Sequence, residues 1–455
     1  MPMEEHRTIA AISTPVGQGG IGIVRLSGRD ALGIAGKVFR SPKKKSIATT
    51  PSHRILYGHV VEPGTGEIVD EVLVSVMKAP GTYTREDMVE IHCHGGPVPL
   101  RRVLELLLHN GAGLAEPGEF TRRAFLNGRI DLAQAESVLD MINALTVQGQ
   151  KAAMSQLSGG LSEKITAVRE QVIELTAMVE AHIDFPDEGM ETLSLEDMLR
   201  RAEVITGKLK KLIDTSSYGR ILRDGLRTAI IGRPNVGKSS LLNALLEHDR
   251  AIVTEVPGTT RDVIEEYLNM GGMPMKIMDT AGIREVRDMA EQEGVRRSLR
   301  LMDEADLVLL VLDGSEPLHD TDRQLIEKSV PRNTITVMNK CDLPDRAALH
   351  DKSIVKISAK DRTGLDALKE RIADAATGGH PVSAHSVVTN TRHVHALEKT
   401  LHSLESFQEG LSVNTPPEFL SVDLRAALDA LGEILGATTP EDVLNRIFST
   451  FCIGK

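Results

Sequence analysis

Cysteine is scarce in this 455-residue chain: Cys93, Cys341 and Cys452 are its three, far apart and odd in number. That excludes a disulfide framework and fits a reducing cytoplasm. Long apolar runs are missing too. The best candidate, ADLVLLVLDG, falls short of the roughly 18 residues a membrane span requires and has the length of a buried strand. The opening MPMEEHR is acidic and polar, wrong for a secretory leader. Positive charge is not in excess either. With a net charge of −11, the chain lacks the basic balance needed to grip RNA unaided through its phosphates. KKK at 43–45 and the arginines of GRILRDGLR read as local, solvated clusters. A nucleic-acid substrate would therefore need a partner to do much of the holding. What remains, 41% hydrophobic and 26% charged, is a globular composition. The length argues for about three domains.

The strongest signal lies in the middle third. LRTAIIG reads as a strand ending at Gly232, GRPNVGKSS follows, and SLLNALLEH has helical spacing. This is G-x-x-x-x-G-K-S in the strand, loop and helix context it requires. Gly232 and Gly237 let backbone N–H groups close on phosphate oxygens, Lys238 reaches the β- and γ-phosphates, and the Ser239 hydroxyl ligates Mg²⁺. DTAG at 279–282 follows a strand-like stretch, with Asp279 suited to the metal's outer sphere and Gly282 to an amide that senses the γ-phosphate. NKCD at 339–342 follows the strand TITVM: Asp342 can accept both hydrogen bonds of the guanine N1 and N2 edge, and Lys340 lies over the base. ISAK at 357–360 offers Ser358 and Ala359 to the guanine carbonyl. Four motifs in order, each after a strand, make residues 221–378 a guanine-nucleotide-binding α/β domain.

Its catalytic residues are unusual. Ile283 follows DTAG, where many GTPases carry the glutamine that orients water. An apolar side chain cannot do that, so the water is handled by another group or by none. In TEVPGTTRD, either Thr259 or Thr260 can complete Mg²⁺ coordination. Asn235 either ligates a monovalent cation beside the phosphates or serves the loop turn.

Residues 1–118 alternate strand-like runs (TIAAIST, IGIVRLSG, EIVDEVLVSVMKAP, DMVEIHCHGG) with turns, then give a helical LRRVLELLLHNG. GQGGIG at 17–22 matches the dinucleotide fingerprint but opens a strand rather than a helix, so that reading fails. In HCH at 92–94, His92 and His94 share one strand face and Cys93 the other, without a second ligand pair for zinc. From 119 the period becomes helical: Ile165, Val168, Val172, Leu175 and Val179 form one stripe, and helical patterns return after the nucleotide domain. One helical domain, 119–220 with 379–455, thus holds the nucleotide domain as an insertion. In its last helix Thr439 is the expected cap, Pro440 sits in the first turn, and Leu444, Ile447, Phe448 and Phe451 share a face. The terminal FCIGK is therefore tethered to packed structure. Gly454 and Lys455 do not fit a prenylation box.

PGEFTRRAFLNGRIDLAQAE, IDFPDE, GRPNVGKSSLLNAL, VPGTTRD, DTAGIRE and RIFSTFCIGK together resemble the tRNA-modification GTPases of the MnmE/TrmE family, and the likeness covers the whole chain. The resemblance implies a multidomain α/β protein: an α+β tetrahydrofolate-binding domain that also dimerises (1–118), an all-α domain and an inserted Ras-like P-loop GTPase domain. It implies attachment of aminomethyl or carboxymethylaminomethyl groups to carbon 5 of the wobble uridine in certain tRNAs. The one-carbon unit would come from 5-formyl- or 5,10-methylenetetrahydrofolate, and a heterotetramer would form with an FAD-bearing GidA/MnmG-type protein.

Residue by residue, the resemblance assigns GTP contacts to Asn235, Val236, Gly237, Lys238, Ser239 and Ser240 of the P-loop. It adds Thr254, Glu255, Val256, Pro257, Gly258, Thr259 and Thr260 of the next loop, and Asp279, Thr280, Ala281 and Gly282 of DTAG. Asn339, Lys340, Asp342, Ser358, Ala359 and Lys360 complete the set. Mg²⁺ would sit on Ser239 and Thr260, and K⁺ on Asn235, Thr259 and backbone oxygens of Thr254 and Val256. Glu291 would organise the attacking water. The folate positions are Arg25, Glu90, Arg129 and Lys455; some relatives carry lysine at the position of Arg129, so the charge is kept while the geometry changes. Cys452, a thiol with a lysine three residues on, is a candidate for chemistry as well as packing. Two rivals stand: a ribosome-assembly GTPase, which would need a KH module whose G-x-x-G loop is absent from 380–455, and a folate-dependent aminomethyltransferase, which would leave the nucleotide motifs without purpose.

Overall fold

The structure, a computed structural model, describes residues 7–15, 17–184, 195–249, 266–279, 291–347, 349, 351–377 and 387–455, without the side chains of 248, 249 and 291–295. The chain forms two compact units, Met1–Leu139 with Leu435–Lys455, and Asp140–Ile434.

In the first unit seven strands form one sheet: β1 (Ile9–Ile12), β2 (Gly19–Ser27), β3 (Phe39–Arg40), β4 (Arg54–Val61), β5 (Ile68–Met77), β6 (Met88–Gly95) and β7 (Gly113–Leu114), in the order β3-β4-β5-β6-β2-β1-β7. β5 shows why: Val72, Val74 and Val76 are buried on one face while Glu71 and Leu73 stand outside on the other. Helices Ala31–Val38 and Pro97–His109 cover the inner face, with Ile34, Val38, Leu100, Val103 and Leu107 in its core. GQGGIG leads into β2, a strand, as its sequence context requires.

Two elements lie outside the runs named from the sequence. β4 carries Ile55 and Tyr57 on its exposed face, so its hydrophobicity does not alternate. Helix Ala31–Val38 contains Gly33 and Gly36, which depress helical propensity until packing supplies the difference.

PGEFTRRAF forms the helix Glu119–Leu126, pinned by a buried ion cluster. Arg123 donates to Glu86 Oε2 at 3.1 Å, Glu119 Oε1 at 2.8 Å and Arg7 O at 2.9 Å. The last helix corrects one expectation: it spans Glu441–Ser449 with Pro440, not Thr439, at the N-cap, and the proline ring offers no cap hydrogen bond. Pro440 keeps ψ 149, an extended value, so helical dihedrals start one residue later. Phe448 and Phe451 are buried with ring centroids 5.7 Å apart.

In the second unit, helices Val147–Leu157, Gly160–Asp184, Leu195–Asp214, Ser216–Asp224, Thr391–Ser412 and Pro417–Leu435 form the helical part. Ile165, Val168, Val172, Leu175 and Val179 are all buried, as their spacing predicts. The sheet of the nucleotide domain has β8 (Leu226–Ile231), β9 (Glu266–Met270), β10 (Met273–Ile277), β11 (Leu307–Asp313), β12 (Thr334–Asn339) and β13 (Val355–Lys356). Their order is β13-β12-β11-β8-β10-β9, parallel except for β9. Helices Lys238–Asp249, Glu291–Glu304, Asp320–Ser329 and Leu365–Thr377 accompany it. LVLLVLD is β11, buried at every position, which is why its hydrophobicity is continuous. Among the described residues no helix is long and apolar enough to cross a membrane.

Candidate functional sites: a nucleotide cradle and a cationic pocket

The nucleotide motifs converge at the carboxyl ends of β8, β11 and β12, the edge where doubly wound sheets place ligands. The chain leaves β8 at Gly232, turns through Asn235 at φ 67, and enters the helix that begins at Lys238. The first turn of that helix presents its backbone N–H groups at the loop, a natural anion seat. Asn339 ties the motifs together. Its Nδ2 donates to Val236 O at 2.9 Å, and its Oδ1 accepts from the amide of Ala359 at 3.0 Å. The approach is so close that a Cβ at Gly237 would lie 2.2 Å from Asn339 Nδ2, so glycine is required there.

Lys238 is largely enclosed, and Nζ donates to Gly232 O at 2.7 Å and Arg233 O at 2.8 Å. Burial disfavours its ammonium form and lowers its pKa to about 8. On the guanine side, Ser358 Oγ donates to Asp342 Oδ1 at 2.7 Å, which holds that carboxyl below its ordinary pKa and keeps it an acceptor. Lys340 Nζ donates to Asp313 Oδ2 at 2.5 Å. Burial works against the Asp313 carboxylate, but hydrogen bonds from Lys340 and Ser315 outweigh it and depress the pKa. The motif reading missed Asp313. Its signal was an acid ending a wholly apolar strand, where only a partner makes burial tolerable.

Asp279 is paired with Arg297 of the helix Glu291–Glu304, another partner that the motifs do not announce. Ser239 lies in the first turn of the helix Lys238–Asp249, where its hydroxyl chemistry suits Mg²⁺. Ser240 follows it. The positions Thr254, Glu255, Val256, Pro257, Gly258, Thr259, Thr260, Thr280, Ala281 and Gly282 lie outside the described residues, as does the side chain of Glu291. Lys360 follows Ala359 in the turn before the helix Leu365–Thr377.

The second site lies in the first unit, on the outer face of its sheet. Arg25 on β2 and Glu90 on β6 are register partners, and Arg25 Nε donates to Glu90 Oε1 at 2.8 Å. Arg25 Nη1 also donates to Gly454 O at 3.2 Å, and Ser13 Oγ donates to the same oxygen at 3.1 Å. Ile453 bridges antiparallel to Pro117, and the Gly118 amide meets Cys452 O at 3.4 Å. These contacts fasten the CIGK tail beside Arg25. Gly454 has φ 90, and a Cβ there would come within 2.4 Å of Ile12 O. Lys455 is half-buried; burial first, then the charge of Arg25, lowers its pKa, while Glu90 opposes the fall. The Cys452 thiol is exposed.

Of the four expected positions, Arg25, Glu90 and Lys455 therefore gather directly. Arg129 joins through an unexpected residue, its guanidinium carbon 4.8 Å from the centroid of the Tyr83 ring. Nothing local marks Tyr83, since only the fold brings loop 81–87 against the turn at 127–129. Glu90 Oε2 lies 3.7 Å from His92 Nε2, too far for a hydrogen bond, so it keeps acceptor capacity. His94 instead engages the buried Asp70, with Nδ1 2.6 Å from Oδ1, which raises the histidine's pKa. Cys93 faces the core, and burial pushes its thiol up to about 12.

Two family models match the chain: the GTP-binding protein TrmE N-terminus over residues 8–129, and the MnmE helical domain over 132–452. Proteins named tRNA modification GTPase MnmE align from end to end. That of Geobacillus thermodenitrificans is 49% identical over 462 residues, covering 100% of both chains. Those of Ligilactobacillus salivarius and Thermoanaerobacter pseudethanolicus are also 49% identical, covering 99% and 98% of this chain and 98% and 99% of theirs. With its nucleotide cradle, its helical part and its N-terminal sheet all spanned by these matches, the chain belongs to the tRNA modification GTPase MnmE family.

Proposed function

We propose that the chain hydrolyses GTP in a K⁺-stimulated cycle that drives modification of the wobble uridine of certain tRNAs at carbon 5, adding an aminomethyl or carboxymethylaminomethyl group. The observation that carries the reading is the Asn339 carboxamide, which holds the phosphate loop and the guanine-reading residues in one rigid frame. Lys238 and the amides of the first helical turn bind the phosphates, Asp342 reads the guanine edge, and Ser239 with Thr260 holds Mg²⁺. Asn235, Thr259, Thr254 and Val256 hold K⁺, and Glu291 orients the water in place of the missing glutamine.

The cationic pocket fits a reduced folate. Glu90 offers an acceptor to the amino-pyrimidine edge of a pteridine, and Arg129 and Lys455 suit the anionic glutamate end. When bound, 5-formyl- or 5,10-methylenetetrahydrofolate supplies the one-carbon unit. Arg25 fixes the Glu90 carboxylate, and the tail brings Cys452 to the same neighbourhood. An FAD-bearing GidA/MnmG-type partner completes a heterotetramer, and a homodimer forms through the N-terminal sheet. Ile55, Tyr57 and Leu73, exposed on the outer face of β4 and β5, support that interface. The work takes place in the cytoplasm.

Mass spectrometry of wobble uridines from cells lacking the gene tests this reading. Unmodified uridine, restored on complementation, is expected; an unchanged nucleoside profile would overturn it.

A further inference from the structure

Beside the Arg25–Glu90 pair, loop 81–87 and turn 124–129 are sewn together. Asn127 Nδ2 donates to Thr84 O at 2.6 Å, Arg85 Nη1 donates to Asn127 O at 2.9 Å, and the Arg129 amide donates to Ala124 O at 2.9 Å. The Tyr83 ring underlies Arg129 and is itself fixed by Thr121 at 3.0 Å. Phe120, the neighbour of Thr121 on the helix Glu119–Leu126, lies under Arg25 with the guanidinium carbon 5.7 Å from its ring centroid, so one helix serves both groups. Arg85 Nη1 is 3.5 Å from the point where a side chain on Gly128 would begin, so its exposed guanidinium lies against the turn that carries the exposed Arg129.

Neither arginine is ion-paired among the described residues. The neighbouring acids are already engaged: Glu86 by Arg123 and Ser27, Asp87 by the Ala79 amide, and Asp131 by the Gln134 amide. Two fixed, unneutralised forks on a chain of net charge −11 are an anion seat, and each keeps most of its five N–H donors for bidentate contacts.

We propose that Arg85 and Arg129 form a subsite for the oligo-γ-glutamate tail of a reduced folate, so that this chain favours polyglutamylated over monoglutamyl folate. The proposal rests on the folate reading of the Arg25–Glu90 site. Each γ-linked residue adds one α-carboxylate, planar like the guanidinium that receives it. A short oligoanion suits two adjacent arginines that continue from a small-molecule pocket; a polynucleotide would call for a longer basic track.

The test is calorimetric titration of the full chain with the mono- and triglutamate forms of 5-formyltetrahydrofolate at low ionic strength. The triglutamate is expected to bind about threefold more tightly, as the one further exposed ion pair on Arg85 allows, and the gain should shrink as salt rises. Arg85→Gln should erase that gain while monoglutamate affinity stays within about twofold, the spread expected for a surface substitution. Arg85→Lys should restore part of it. Equal affinity for the two forms in the unaltered chain overturns the subsite alone. So does a tail gain that survives Arg85→Gln, or a loss of tRNA affinity in Arg85→Gln with the gain intact. Failure of both forms to bind overturns the folate reading and the subsite together.

Discussion

Asn339 spans from the last residue of β12 to Val236 in the phosphate loop, its Nδ2 2.9 Å from that carbonyl. The same carboxamide holds Ala359, so the phosphate loop and the loop proposed to read the base share one buried side chain. Removing it orphans an acceptor and a donor that water reaches poorly.

Asn339→Ala should therefore weaken guanine-nucleotide affinity by about 100-fold, with roughly 2–4 kcal/mol lost from the two unmet groups. Fluorescent GDP titration measures the first effect and chemical unfolding of the chain the second. Affinity within threefold of the parent would show that the frame stands without this residue.

Lys238 should make nucleotide binding draw in protons. Burial lowers its folded pKa to about 8 from the ordinary 10.5, so between those values the folded, nucleotide-free chain binds fewer protons than the unfolded one. Across that window this lysine contributes stability that rises with pH, and below about 8 its burial cost is complete. Phosphates restore the charged form. At pH 8.5 calorimetry in two buffers should find about 0.8 proton taken up per GDP, and no net uptake at pH 6.5, where the terminal phosphate itself gives up protons on binding. Equal uptake at both would mean that the ammonium is charged before nucleotide arrives.

GTP hydrolysis should be faster in K⁺ than in Na⁺ because Asn235 is available to a monovalent ion and no arginine finger is evident in the sequence. Glu291→Ala should leave GDP affinity within about twofold and remove most turnover, a loss on the order of 100-fold if the residue positions the water. Phosphate release in the two salts, with and without the substitution, decides both points; rates indifferent to the cation would remove the ion from the cycle.

Gly454→Ala should separate the two sites. Its φ of 90 and the 2.4 Å approach to Ile12 O leave no room for a Cβ, so the tail must shift and Arg25 lose its carbonyl partner. Folate affinity should fall about tenfold, given roughly 1–2 kcal/mol of backbone strain, while GTP affinity stays as it was. Retained folate binding in this variant would detach the CIGK tail from the pocket.

Much of the nucleotide domain was legible because its motifs are local: a strand, a loop and the next few residues carry phosphate chemistry wherever they occur. The helical stripe from Ile165 to Val179 was legible for the same reason, one face repeating every turn. Asp313 was not read as a partner of Lys340, because 27 residues separate them and only the pairing of β11 with β12 joins their strand ends. Tyr83 was hidden for a similar reason: it meets Arg129 across a turn contact, not along a motif. The helix Glu441–Ser449 began one residue later than its capping pattern implied, since the extended Pro440 rather than Thr439 fixed the start.

By itself, then, the order of residues determined that a P-loop nucleotide domain would form and that aliphatic stripes would bury as helices, because both follow from spacing along a few turns or one strand. Only tertiary structure decided that Gly454 would rest against Ile12 and Ser13 and bring Lys455 beside Arg25. Pairs separated by hundreds of residues meet through strand order and packing, and no local period records either.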